Sequence, residues 1–124
     1  MLTLDEAADL FARRRRAWLD EDLEGYLALW AEDMRFQSPV HAEPLSGRAA
    51  FRQLVERSLA FARPVSFDFT HIAVHGVFVL AEWTIAIERR EDGRRTTWRG
   101  MSVAEIRGGL IHAWREYWNP NDLR

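Results

Sequence analysis

The closing alternation His112-Ala113-Trp114-Arg115-Glu116-Tyr117-Trp118 sets a carboxylate between two indoles. Successive side chains of a strand point to opposite faces, so His112, Trp114, Glu116 and Trp118 share one side. A carboxyl group among apolar rings loses hydration, favours its neutral form and can exchange a proton near neutral pH. Glu116 is therefore the candidate general acid/base. His112 is its candidate partner, because imidazole titrates nearest neutrality. Each also has a plainer reading. Glu116 can be a structural acid paired with an arginine or a tryptophan N–H, and His112 a histidine that is only hydrogen-bonded.

Other chemistries have less to stand on. The chain has no cysteine, hence no thiol nucleophile, disulfide framework or zinc knuckle. His41, His71 and His75 lack metal-ligand spacing relative to one another, so no metal site is expected, and no cofactor either. Ser38 has no histidine or acid beside it in sequence, which leaves a serine nucleophile without an activating base.

Composition narrows the partners. A net charge of -2 lacks the basic surplus of a nucleic-acid binder. No run approaches the ~20 apolar residues that span a bilayer. The N-terminal stretch carries acids, then arginines, without a signal peptide's apolar segment. Neither nucleic acid nor membrane is expected as a partner, and a cytoplasmic location is the default. Six tryptophans in 124 residues imply either a bulky core or an aromatic-lined pocket.

The elements that must position these residues read as helices first and strands second. Leu4, Ala8, Phe11 and Trp18 recur at helical spacing over about residues 4–19, with Thr3 and Glu6 forming a capping-box pattern. The arginine run 13–16 wraps this helix and reads as a solvated end rich in cations. Leu23, Tyr26, Leu27 and Trp30 predict a second helix over about 22–31. Met34 to Ser38 alternates as a short strand, and 39–47 reads as a loop. A third helix is expected over about 48–61, ended by Pro64. Strands follow over about 65–74, 77–89, 96–106 and 110–118. The turns between them are signalled by His75-Gly76, Asp92-Gly93 and Gly108-Gly109. Segregated helices and an antiparallel sheet make an α+β fold of one domain.

This order of elements resembles the nuclear transport factor 2-like superfamily, with its ketosteroid isomerases, limonene epoxide hydrolases and SnoaL-like polyketide cyclases. Asp22-Leu23, Gly25, Ala28-Leu29, Ala31, Asp33, Pro39-Val40, Glu43-Pro44, Ser46-Gly47 and Ala49-Ala50 are similar to the steroid isomerases. Residues 111–119 are similar to the final strand of epoxide hydrolases and SnoaL-like proteins. The resemblance spans nearly the whole chain. It implies one SnoaL-like domain over residues 1–124: three N-terminal helices packed on a curved, mainly antiparallel sheet that forms a cone-shaped pocket (a cystatin-like roll). It also implies a homodimer through the outer sheet face.

Matched position by position, the resemblance removes two of the three reactions. The steroid isomerase base falls at Ser38, and its oxyanion-hole residues at Arg14 and Ala104. The epoxide hydrolase Asp–Arg–Asp set falls at Glu116, Trp83 and Ile85, and its water-holding tyrosine and asparagine at Phe36 and Ser38. SnoaL-like cyclases need one acid/base on an already activated substrate, and Glu116 meets that need. The match at Glu116 turns its strand face inward, together with Val79, Ala81, Trp83 and Ile85 of the middle strand. Phe36 and Ser38, and Trp98, Gly100, Ser102 and Ala104, are expected to follow. The expected ligand is a hydrophobic small molecule, touched by Trp18, Phe36, Ser38, Trp83, Trp98, Trp114 and Trp118. Three readings stay open: an isomerase, cyclase or hydratase-like enzyme using Glu116, a non-catalytic binder or sensor, and a structural dimerisation module.

Overall fold

The computed structural model describes residues 1–123. Helix α1 spans Leu4–Leu19, started by a full capping box between Thr3 and Glu6. Its inner face buries Ala7, Leu10 and Phe11, and Arg14 lies on the same stripe. Helix α2 is only Leu23–Leu27, capped by Asp22. Strands β1 (Trp30–Gln37) and β2 (Leu45–Ser46) come next, then helix α3 (Arg48–Phe61). The four long strands are β3 (Ala62–His75), β4 (Phe78–Arg89), β5 (Arg95–Arg107) and β6 (Leu110–Tyr117), followed by a 3-10 turn at Pro120–Leu123.

Three expectations are corrected here. The second helix stops well short of residue 31, because Trp30 already belongs to β1. Tertiary pairing overrides the local stripe: the Ile111 N–H donates to the Leu29 carbonyl, and Trp30 aligns with Ile111 of β6. The helices do not all precede the strands: β1 falls between α2 and α3, where a short strand was expected, and β2 joins it from within the stretch 39–47 expected as loop. Pro64 does not end α3. The helix ends at Phe61, where Ala62 turns extended, and Pro64 sits inside β3 beside an irregularity in its pairing with β4.

The six strands lie in the order β2-β1-β6-β5-β4-β3. Every pair is antiparallel except β1–β6, which is parallel. Gly108 and Gly109 both adopt positive φ, 57° and 76°, as a tight turn between β5 and β6 requires. Helix α3 packs against both β1 and β3. In a flat sheet those strands would stand about 19 Å apart at ~4.8 Å per strand, wider than a helix of ~10–12 Å. The sheet therefore curls around the helices. The core lies within the curl, where Phe11, Trp30, Met34, Phe51, Val79, Ile111 and Trp114 are almost wholly buried. No helix among the described residues is long and apolar enough to cross a membrane.

Candidate functional site

A cavity of about 290 Å³ opens between the inner sheet face and the three helices. Helix α3 supplies an aliphatic wall from Leu54, Val55 and Leu59, and β4 adds Ile85 and Ile87. Trp18, Trp98 and Trp118 contribute aromatic faces, and Phe36, Phe51 and Phe67 complete them. Set into this apolar lining are Arg14, Tyr26, Ser38, His41 and Glu116.

Glu116 reaches the cavity because β6 alternates regularly over its C-terminal half, pairing Ser102 with Glu116 and Ala104 with Trp114. Its residual exposure opens onto the cavity, and protein surrounds it elsewhere. Burial pushes its pKa up to about 7, while Arg14 pulls the other way. The Trp118 indole also favours the carboxylate, yet its N–H completes no hydrogen bond of good geometry.

Arg14, matched in sequence only to an oxyanion-hole position of the steroid isomerases, was not expected to line this cavity. Within a run of four arginines it reads as one more solvated cation. In the fold it is 5% exposed, in contrast to Arg13 and Arg16. Its guanidinium carbon lies 4.2 Å from the ring centre of Trp114, 5.0 Å from Phe67, 5.3 Å from Tyr26 and 5.9 Å from Trp30. These π faces favour a cation. Its Nε and Nη1 have no hydrogen-bond partner. The signal was present: Leu10, Arg14 and Trp18 stand four residues apart, on the stripe that faces the core. Tyr26 lies against this cation. Burial pushes its hydroxyl pKa up, Arg14 opposes that and Glu116 adds to it.

Ser38 also gains a partner that sequence adjacency did not supply. The chain turns after β1, the His41 N–H donates to the Ser38 carbonyl, and Ser38 Oγ lies 2.8 Å from His41 Nδ1. Both side chains line the cavity.

Of the expected contact residues, Trp18, Phe36, Ser38, Trp98 and Trp118 border the cavity with Glu116. Three other placements are corrected. His112 does not share the Glu116 face. Ala113 pairs with Glu105 while Ile111 pairs with Ile106, so His112 is the extra residue of a β-bulge and alternation breaks there. Its Nδ1 instead faces Asp33 at 3.9 Å. Trp83 points inward but lies beneath the wall, 1% exposed, its N–H donating to Ser102 Oγ at 2.6 Å. Trp114 is fully buried and forms the platform under Arg14 rather than a surface for ligand. No cluster of metal-binding side chains occurs among the described residues.

Residues 11–114 match the SnoaL-like domain family. The chain belongs to that family. Solved structures similar to this SnoaL-like chain carry unlike activities. A Bacillus subtilis protein described as a candidate isomerase is 24% identical, with a TM-score of 0.86 over 98% of this chain and 92% of its own. An epoxide hydrolase from Mycobacterium tuberculosis is 22% identical, TM-score 0.81, covering 95% and 86%. A computationally designed 17-OHP binder is 20% identical, TM-score 0.82, covering 94% and 95%. At these identities the likeness establishes a nuclear transport factor 2-like, ketosteroid-isomerase-like fold, and one fold hosts many reactions.

Proposed function

We propose that this SnoaL-like domain binds a hydrophobic small molecule in the cavity and acts on it with Glu116 as general acid/base, in isomerase, cyclase or hydratase-like chemistry. The observation that carries this reading is a carboxyl group inside an apolar cavity, without an ion pair among the described residues and with a pKa of about 7. At neutral pH such a group exists in both protonation states. The ionised form can take a proton next to a carbonyl, and the neutral form can return it elsewhere on the same molecule. Arg14 stands beside it to stabilise negative charge as it develops. A cavity left open beside three tryptophans, rather than filled by them, speaks against a purely structural module.

Non-catalytic binding is the second reading. By the resemblance, Trp83 and Ile85 fall where epoxide hydrolases carry arginine and aspartate, and the fold is also similar to a designed binder. Native mass spectrometry of the purified protein, followed by identification of any released ligand, separates the two. The wild type is expected to convert that ligand or a close precursor, and Glu116→Gln to bind it without conversion. Binding by both proteins with conversion by neither would leave the second reading standing.

A further inference from the structure

Among the described residues the cavity contains one permanent charge, Arg14, and no fixed counter-charge. Arg14 is buried and borders the cavity; its Nε and Nη1 are unpartnered and enclosed by protein, and Tyr26 lies within hydrogen-bonding reach of its guanidinium. No ion pair among the described residues involves it. Aromatic faces soften the penalty of burying a guanidinium but do not neutralise it. Few other titratable groups border the cavity. Helix α2 presents Tyr26, the turn after β1 presents His41, and β6 presents Glu116. The other side chains that α3, β3, β4 and β5 bring to the cavity are uncharged. Among the described residues Glu116 is the single acid bordering the cavity, and burial pushes its pKa up to about 7. With Glu116 neutral the cavity holds a net positive charge behind apolar walls. A volume of about 290 Å³ is at the lower end of the ~300–1,000 Å³ typical of small-molecule sites, which suits one or two rings.

We propose that the ligand is a small aromatic or alicyclic carboxylic acid, bound as its anion with the carboxylate on Arg14 and the ring against the Trp18, Phe36 and Trp98 walls. This rests on the cavity being a small-molecule site, and it stands whether or not Glu116 performs chemistry. A second negative charge beside Arg14 opposes ionisation of Glu116, so binding draws a proton onto that carboxyl. Arginine suits the task because its guanidinium stays charged when buried.

Calorimetric titration with benzoate and cyclohexanecarboxylate, each against its uncharged amide, tests the assignment. The acids are expected to bind at least about tenfold tighter than the amides, as a charge-assisted contact provides. Their affinity should fall by about tenfold between pH 6 and pH 8, as Glu116 ionises. Arg14→Met keeps an apolar stem in the aromatic box and should abolish the preference for acid over amide. Arg14→Lys should keep part of it. If Arg14→Met fails to fold, the wild-type comparison of acid with amide and its pH dependence decide. Amides that bind as well as the acids would overturn the anion assignment while leaving the cavity a small-molecule site. Binding by neither class would overturn both.

Discussion

Ionising Glu116 costs the folded chain what it does not cost the unfolded one. The raised pKa means that, between the ordinary carboxyl value of 4.5 and about 7, the native state holds a proton the unfolded state has lost. Stability must therefore fall as pH rises through that window, with the full penalty present above it. Glutamine imitates the neutral acid. Glu116→Gln is expected to melt with the wild type near pH 4 and above it at pH 8, by up to about 3 kcal/mol of stability. A variant melting clearly lower at pH 8 would instead mark Glu116 as the structural partner of Arg14. Ser38 supports a negative expectation. By the resemblance it falls where steroid isomerases carry their carboxylate base, and its hydroxyl is engaged by His41. Purified protein should not isomerise a β,γ-unsaturated ketosteroid measurably, and robust turnover in a spectrophotometric assay would oblige Glu116 to act as the base.

At the scale of elements, β4, β5 and β6 hold the inner wall together through one close approach. Gly100 lies opposite Trp83, and a Cβ there would stand 2.7 Å from the indole and 2.8 Å from the Tyr117 carbonyl oxygen. Trp83 cannot easily yield, since Ser102 fixes its N–H. Gly100→Ala is expected to cost about 1–3 kcal/mol by overpacking, visible as a lowered Tm. An unchanged Tm would show that the strands separate freely. The same elements mark what the sequence could convey. Helices α1 and α3 and the long strands were legible within a few residues, because caps, periodicity and glycine turns act locally. Trp30 read as helical because its partner, Ile111, is remote in the chain. His112 read as inward because the break in alternation at the bulge shows only once the pairing of β5 with β6 is known. Glu116 was legible as a cavity residue, whereas Arg14 was hidden by the arginines on either side of it.

For the whole molecule, the helices cover only one face of the sheet. The other face carries Leu80, Met101 and Tyr117, exposed by 39%, 47% and 57%, alongside Thr84 and Val103. Apolar residues gathered on an uncovered sheet face favour association. We expect two chains to pair there, giving twice the 14.5 kDa of one chain in light scattering. A monomer at high concentration would remove the expectation. Tyr117→Glu places a charge in that face and should shift such a pair toward monomer.

The parallel pairing of β1 with β6 has a kinetic consequence. Hairpins β3–β4 and β4–β5 join neighbours in sequence and can close quickly, but Trp30 must find Ile111 about eighty positions along the chain. Closing so long a loop is entropically expensive, and topologies rich in such contacts fold slowly. The side chains of Trp30 and Trp114 meet across this seam, their ring centres 6.0 Å apart. In a stopped-flow refolding trace, the part of the tryptophan fluorescence change that Trp30→Phe removes should therefore lag behind the far-UV signal of the hairpins. Arg14 would receive its Trp114 platform, and Glu116 its apolar surroundings, only in that slow phase.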